Sequence, residues 1–301
     1  MKRTLSASLL AALTLLAACG DTTSKNDTDD GASSTTFAAE SSAPERIVSL
    51  SPTATEMLFA IGAGEQVVAV DSYSNFPAEA PITDLSAYEP NIEAISTYDP
   101  DLVVVDGTDA ELVSGLESLD IEVLQAPAAA TLEDTYDQIA EIGEVTGHED
   151  EAAELVESMQ ADIEEIVADL PERTEPLTYF HELDNTLYTV TSTTFIGELY
   201  SLAGLENIAD PADADGQAGG YPQLSAELIV SADPDLVFLA DTKCCQQTAD
   251  TFAERPGFAG LHAVTAGQVV ELDDDIASRW GPRVVDLLRA IVDAVRAVPA
   301  T

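Results

Sequence analysis

The sequence predicts an α/β protein: two similar lobes, each on a parallel sheet, joined by one long backbone helix that leaves a cleft on its open side. Three observations carry this. Short β-branched runs alternate with helical segments, the pattern of parallel sheets covered by helices. An internal repeat pairs E-A-I-S-T-Y-D-P-D-L-V from Glu93 with E-L-I-V-S-A-D-P-D-L-V from Glu227, and E-M-L-F-A-I-G from Glu56 with E-L-Y-S-L-A-G from Glu198. Its period is far longer than a solenoid unit, so it marks two lobes and not an array. Between the halves, Ala152, Leu155, Val156, Met159, Ile163, Ile166, Val167 and Leu170 recur at three- and four-residue spacing, without Gly or Pro until Pro171. That is one amphipathic helix, a rod of about 30 Å, long enough to run behind both lobes.

The elements follow in order. Arg46–Leu50 reads as a strand. Ser51 then caps a helix with Pro52 at its first position, and Gly62 stops it. Gln66–Val70 is a second strand, followed by a loop through Asp71, Tyr73, Ser74, Asn75 and Pro77. Leu102–Val105 is a continuous apolar run, a strand buried on both faces. A helix over Leu112–Leu119 leads to a strand at Ile121–Leu124. In the second lobe, Tyr179–Glu182 ends the first strand, Val237–Ala240 and Val269–Leu272 are later strands, and Val284–Val298 is the last helix. Gly62 and Gly64 imitate a dinucleotide loop, but they follow a helix and lack the third glycine.

The 301 residues hold 46% hydrophobic side chains, enough for real cores. Eleven Lys and Arg stand against 56 Asp and Glu, a net charge of −45. Such a surface repels phosphate backbones, so nucleic acid is excluded as a partner. It reads as a solvated acidic shell suited to salt, where screening weakens self-repulsion, or else as an acidity that serves ligand capture.

Lys2 and Arg3 precede an apolar stretch, Leu5 to Ala17, too short to span a bilayer and the right length for a signal peptide. It ends in Leu16-Ala17-Ala18-Cys19-Gly20, which resembles the bacterial lipobox, where the cysteine is diacylated. Residues 1–19 are therefore expected to be a lipoprotein signal peptide and 20–44 a polar tether. Residues 45–147 form the first lobe, 148–171 the interlobe helix and 172–301 the second lobe. The expected location is extracytoplasmic, with the membrane reached only through lipid on Cys19.

S-P-T-A-T-E-M-L-F-A-I-G-A-G from Ser51, D-S-Y-S-N-F-P from Asp71, the paired D-P-D-L-V strands, the mid-chain helix and the lipobox together resemble the substrate-binding proteins of ABC importers for cobalamin, iron–siderophores and haem. The opening motif and the S-Y-S loop are most similar to the cobalamin-binding members. The resemblance implies two Rossmann-like lobes with the ligand between them. It also implies a monomer that catalyses nothing, carries no cofactor and hands a corrinoid, siderophore or haem to a permease dimer. In that family matching glutamates on the two lobes dock onto permease arginines, a role that falls here on Glu56 and Glu198.

Ligands of parallel sheets gather beyond the C-terminal strand ends, and flat macrocycles need aromatic walls with a few polar groups. The candidate ligand residues are Tyr73, Ser74, Asn75, Tyr88, His181, Tyr221, Arg279 and Trp280, with Asp106-Gly107-Thr108 at the equivalent strand end of the first lobe. Cys244 and Cys245, just past a second-lobe strand, are expected to form a vicinal disulfide in an oxidising compartment. His148, His181 and His262 lie far apart in the chain, so no metal site is expected. The competing readings are an exported enzyme on the same scaffold, against which the absence of a nucleophile–base motif counts, and direct transition-metal capture, against which the scattered histidines count.

Overall fold

The computed structural model describes residues 43–299, Thr108 excepted. The expected signal peptide, Cys19, all but the end of the tether, and Thr108 lie outside the described residues. From Ser42 onward the chain forms one compact unit.

In the first lobe β1 (Ile47–Leu50), β2 (Val67–Val70), β3 (Leu102–Val105) and β4 (Glu122–Gln125) form a parallel sheet in the order β2-β1-β3-β4. In the second, β5 (Thr178–Glu182), β6 (Glu206–Asn207), β7 (Leu236–Leu239) and β8 (Val269–Glu271) repeat that order as β6-β5-β7-β8, again parallel. The internal repeat of the sequence is thus a repeat of topology. Successive strand residues face opposite layers. Ile47, Leu102 and Val104 enter a core shared by both lobes, while Val48, Leu50, Val103 and Val105 enter a separate first-lobe core. Tyr179, Leu236 and Phe238 likewise face the shared core, and Phe180, Val237 and Leu239 the second lobe's own.

The helices of the first lobe are α1 (Pro52–Ala60), α2 (Ile92–Ser96), α3 (Ala110–Glu117) and α4 (Leu132–Thr146). The link is α5 (Glu149–Ala168), followed by α6 (Phe195–Leu202), α7 (Ala226–Ala232), α8 (Ala249–Ala253), α9 (His262–Thr265), α10 (Asp274–Ala277) and α11 (Val284–Ala297). Ser51 caps α1 as expected, its Oγ accepting the Ala54 N–H at 3.2 Å with Pro52 at the first position. Helix α4 was not read from the sequence. It starts on a capping box between Thr131 and Asp134 and stops at Gly147, whose φ of +76° turns the chain into α5. Helix α5 packs between α4 and α11, and Met159, Ile163 and Ile166 belong to the core that both lobes share. Because the shared core is continuous through α5 and α11, the lobes are not free bodies on a loose hinge.

Candidate functional site

In the first lobe the loop after β2 is shaped by the buried Asp71. Its Oδ1 accepts the N–H groups of Tyr73 and Ser74 at 3.2 and 2.8 Å, a local turn that competes with regular structure. Tyr73 is turned out of that loop, 57% exposed, and Tyr88 is 81% exposed. Their rings meet edge to face with centroids 5.6 Å apart, a geometry aromatic quadrupoles favour. Large exposed aromatics placed side by side form an unpartnered wall. Asp106, half-buried at the end of β3, has its carboxyl pushed up by burial, with the Asp71 charge adding to the rise.

The second lobe presents a matching pair. Tyr188 lies in the connection after β5 and Tyr221 in the connection before α7, both exposed. An antiparallel bridge joins Tyr188 to Gln223, two residues beyond Tyr221. Tyr188 was missed in the sequence because it follows a short turn after β5 and belongs to no repeat.

The lobes touch where the loop after β2 meets α10. Asn75 Nδ2 donates to Asp275 Oδ2 at 3.0 Å, and Asn75 Oδ1 accepts from Arg279 Nη2 at 2.9 Å. Arg279 Nη2 also donates to the Tyr73 carbonyl at 3.0 Å. Arg279 is therefore a buried strut behind the tyrosine wall, not a group held out to a ligand. Lys243, in the loop after β7, pairs with Asp273 and Asp275 at 2.5 and 2.8 Å. Arg255 holds Glu182 through two bonds of 2.6 Å, and Arg283 pairs with Glu56 while lying 4.2 Å from the Phe76 ring centroid. Each of these four cations is committed to a carboxylate.

Several expected site residues are elsewhere. Ser74 is buried, its Oγ accepting from Thr55 Oγ1 at 3.0 Å inside the first lobe. His181 is fully buried, 2.8 Å from the Tyr200 hydroxyl, and burial depresses its pKa to about 3, so it stays neutral. The strand alternation that puts Tyr179 in the shared core puts His181 on the same face. Trp280 packs against the shared core and over α4, with Nε1 donating to Gln138 Oε1 at 3.0 Å and its carbonyl accepting from Thr135 Oγ1 at 2.9 Å. It was expected at the mouth of the last helix facing a ligand; α4, absent from the sequence reading, is what covers it.

Glu56 corrects the docking expectation. It is 3% exposed and both its oxygens are taken, Oε1 by Arg279 at 2.7 Å and Oε2 by Arg283 at 2.8 Å. Its repeat partner Glu198, half-buried, accepts the Leu132 N–H at 2.9 Å, so it caps the start of α4. Both glutamates reach from their own lobe to the other half of the chain. The second matched pair, Glu93 and Glu227, is exposed, each in the first turn of its helix after the caps Asn91 and Ser225.

Cys244 and Cys245 are free thiols here, not the expected vicinal bridge. The Cys244 N–H is held by Asp274 Oδ2 at 2.8 Å and the Cys245 N–H by the Asp241 carbonyl at 3.2 Å, which winds the pair into a turn. Burial, then the neighbouring Cys245 and the Asp274 carboxylate, push the Cys244 thiol up to about 12. Among the described residues no three His, Cys, Asp or Glu side chains are grouped to hold a metal ion.

Two parallel-sheet lobes on a rigid helical spine, with aromatic side chains exposed beyond the strand ends, define a two-lobed solute-binding protein. Residues 47–276 match the periplasmic binding protein family, and the chain belongs to it. A cobalamin-binding protein of Halobacterium salinarum is 31% identical, over 89% of this chain and 73% of its own length. An ABC transporter substrate-binding lipoprotein of Bacillus subtilis is 29% identical, over 96% of this chain and 95% of its own. The crystal structure of the periplasmic vitamin B12 binding protein of Vibrio cholerae superposes with a TM-score of 0.65 at 27% identity, covering 84% of this chain and 97% of the other.

Proposed function

We propose that this protein captures a corrinoid between the tyrosine pairs of its two lobes and delivers it to an ABC permease dimer. The carrying observation is the pairing of exposed aromatic walls with committed cations. Tyr73 and Tyr88 on one lobe, and Tyr188 and Tyr221 on the other, offer flat apolar contact. Lys243, Arg255, Arg279 and Arg283 are all ion-paired, so none is left to hold haem propionates or an anionic siderophore. A neutral, amide-rich corrinoid suits such a site. The names of the Halobacterium and Vibrio relatives support the same choice.

The protein acts as a monomer without catalysis, lipid-anchored through Cys19, and docks on the permease through Glu93 and Glu227. Support for this pair is its exposure and its equivalence in the repeat. A titration of the full chain with cyanocobalamin, haemin and a ferric hydroxamate tests the ligand; saturable binding of cyanocobalamin alone is expected. Binding of haemin or the hydroxamate in its stead would overturn the corrinoid assignment, and turnover of any of them would make the protein an enzyme. Cys19→Ala should leave the protein soluble or unprocessed, and unchanged detergent partitioning would refute the anchor.

A further inference from the structure

Asp241, two residues beyond the C-terminal end of β7, is fully buried, and among the described residues neither of its carboxylate oxygens receives a hydrogen bond. A buried ionised carboxylate without a partner is among the costliest arrangements a protein can hold. Glu182, at the end of the adjacent strand β5, is also fully buried, and its carbonyl accepts the N–H of Ala240, the residue before Asp241, at 2.9 Å; hydrogen bonding to Asp241 holds the Glu182 carboxyl down against the rise that burial causes. Two carboxyl groups can hydrogen-bond only through a proton that one of them carries.

The charges around the pair fit one proton. Arg255, beyond α8, donates to both oxygens of Glu182 and also to Gln247 Oε1. From α10, Asp274 adds negative charge, and Asp184 does so from behind Glu182. Lys243 is turned away to Asp273 and Asp275, Glu271 of β8 accepts the Ala249 N–H, and His181 faces Tyr200 on the other side of β5. One guanidinium thus balances one carboxylate, and a second ionised carboxyl would leave a net buried negative charge.

Asp241 also supports the loop that follows it. Its carbonyl accepts the N–H groups of Cys245 and Gln247 at 3.2 and 3.3 Å. The same loop hangs on Asp274 through Lys243 and Cys244, and the neighbouring Asp275 touches Asn75 of the first lobe.

We propose that Asp241 and Glu182 share one proton beneath the Asp241–Gln247 loop, and that its loss releases this loop at the contact between the lobes. The shared proton gives one of the two orphaned Asp241 oxygens a partner, and burial together with the Glu182 charge pushes the Asp241 carboxyl up to about 7. The loop is therefore tied down in mildly acid surroundings and loosened in alkaline ones.

The test uses the full chain with heavy carbon in its aspartate side-chain carboxyls, followed by infrared spectroscopy and amide hydrogen exchange across the neutral range. Neither readout needs a ligand. Expected is one protonated aspartate band that titrates within about one unit of neutral pH and is missing from Asp241→Asn. Across that transition the Cys245 and Gln247 amides should lose about tenfold in protection in the wild type, and none in the variant. Glu182→Gln, which removes the facing charge and frees Arg255, should move the midpoint down, and reports even if Asp241→Asn folds poorly. Absence of a protonated aspartate below neutral pH, a midpoint unmoved by Glu182→Gln, or flat amide protection through the transition would each overturn the proposal.

Discussion

Glu56 Oε1 accepts a hydrogen bond from Arg279 Nη1 at 2.7 Å, tying α1 to the turn before α11. The two residues lie 223 positions apart in the chain. Arg279 continues from this bond to the Tyr73 carbonyl and to Asn75, so one buried guanidinium positions the first-lobe wall and closes the polypeptide on itself.

Removing Glu56 leaves two arginines facing each other without their shared anion. Glu56→Ala should lower stability by about 3–5 kcal/mol, the range for breaking one side of a buried pair. Glu198→Ala, which frees a single helix N–H, should cost only about 1 kcal/mol. Urea unfolding of both variants gives the comparison; equal losses would contradict the asymmetry.

Trp280 and the tyrosines should separate stability from binding. Trp280→Ala removes a partly buried core residue and should cost about 2–4 kcal/mol while cyanocobalamin affinity among folded molecules changes little. Tyr73→Ala with Tyr88→Ala should do the reverse, weakening binding at least about tenfold, or about 1.4 kcal/mol, with a small change in melting midpoint. Paired titrations and melts on the same preparations decide it, and a Trp280 variant that binds poorly yet melts normally would return that residue to the site.

The pH dependence has two opposing parts. His181 has its folded pKa depressed to about 3, so the unfolded chain binds more protons between there and about 6.5, and stability falls as pH drops through that window. Asp241 has its folded pKa raised to about 7; there the folded protein binds more protons, and stability falls as pH rises from about 4 to 7. The two slopes offset each other in the wild type. Asp241→Asn should remove the opposing part that Asp241 contributes, giving a steeper gain in stability from about pH 4 to 6.5 than in the wild type. Thermal melts across this range check it, and superimposable wild-type and variant profiles would count against both assignments.

A net charge of −45 on 301 residues makes self-repulsion a term in stability. Raising salt from about 0.1 M to 1 M shortens the screening length from about 10 Å to 3 Å. The melting midpoint should therefore rise steadily with potassium chloride, and a falling midpoint would show that attractive pairs dominate instead.

Docking through Glu93 and Glu227 predicts that the double alanine variant loses uptake while keeping ligand affinity and stability. Transport at the wild-type rate in a reconstituted permease would refute it. The corresponding test on Glu56 cannot separate docking from folding, because that residue is buried.

Much of the fold was legible. β3, with four consecutive apolar residues, the Ser51-Pro52 helix start and the Ala152–Ile166 stripe are local signals, and the structure has each of them. The repeat from Glu93 and Glu227 implies two lobes, and the two sheets carry it as one strand order used twice. Helix α4 has a signal too, Thr131 three residues before Asp134, the spacing of a capping box. The site was less legible because sequence gives a residue's place along an element and not what covers it. Tyr73 and Tyr88 remained exposed, whereas Trp280 met α4, Ser74 met Thr55 and His181 met Tyr200. Glu56 failed as a docking residue because its partners lie at the far end of the chain.

The clasp between Glu56 and the turn at Arg279 bears on how the protein comes into being. A chain made from its amino terminus presents the first lobe long before Arg279 and Arg283 emerge. Until then that lobe holds an unpaired Glu56 on α1, and the shared core lacks α11. The amino-terminal half thus has its own sheet and one core of its own, while the core it shares with α11 and the charge of Glu56 wait for the end of the chain. The clasp closes only when the final helix arrives.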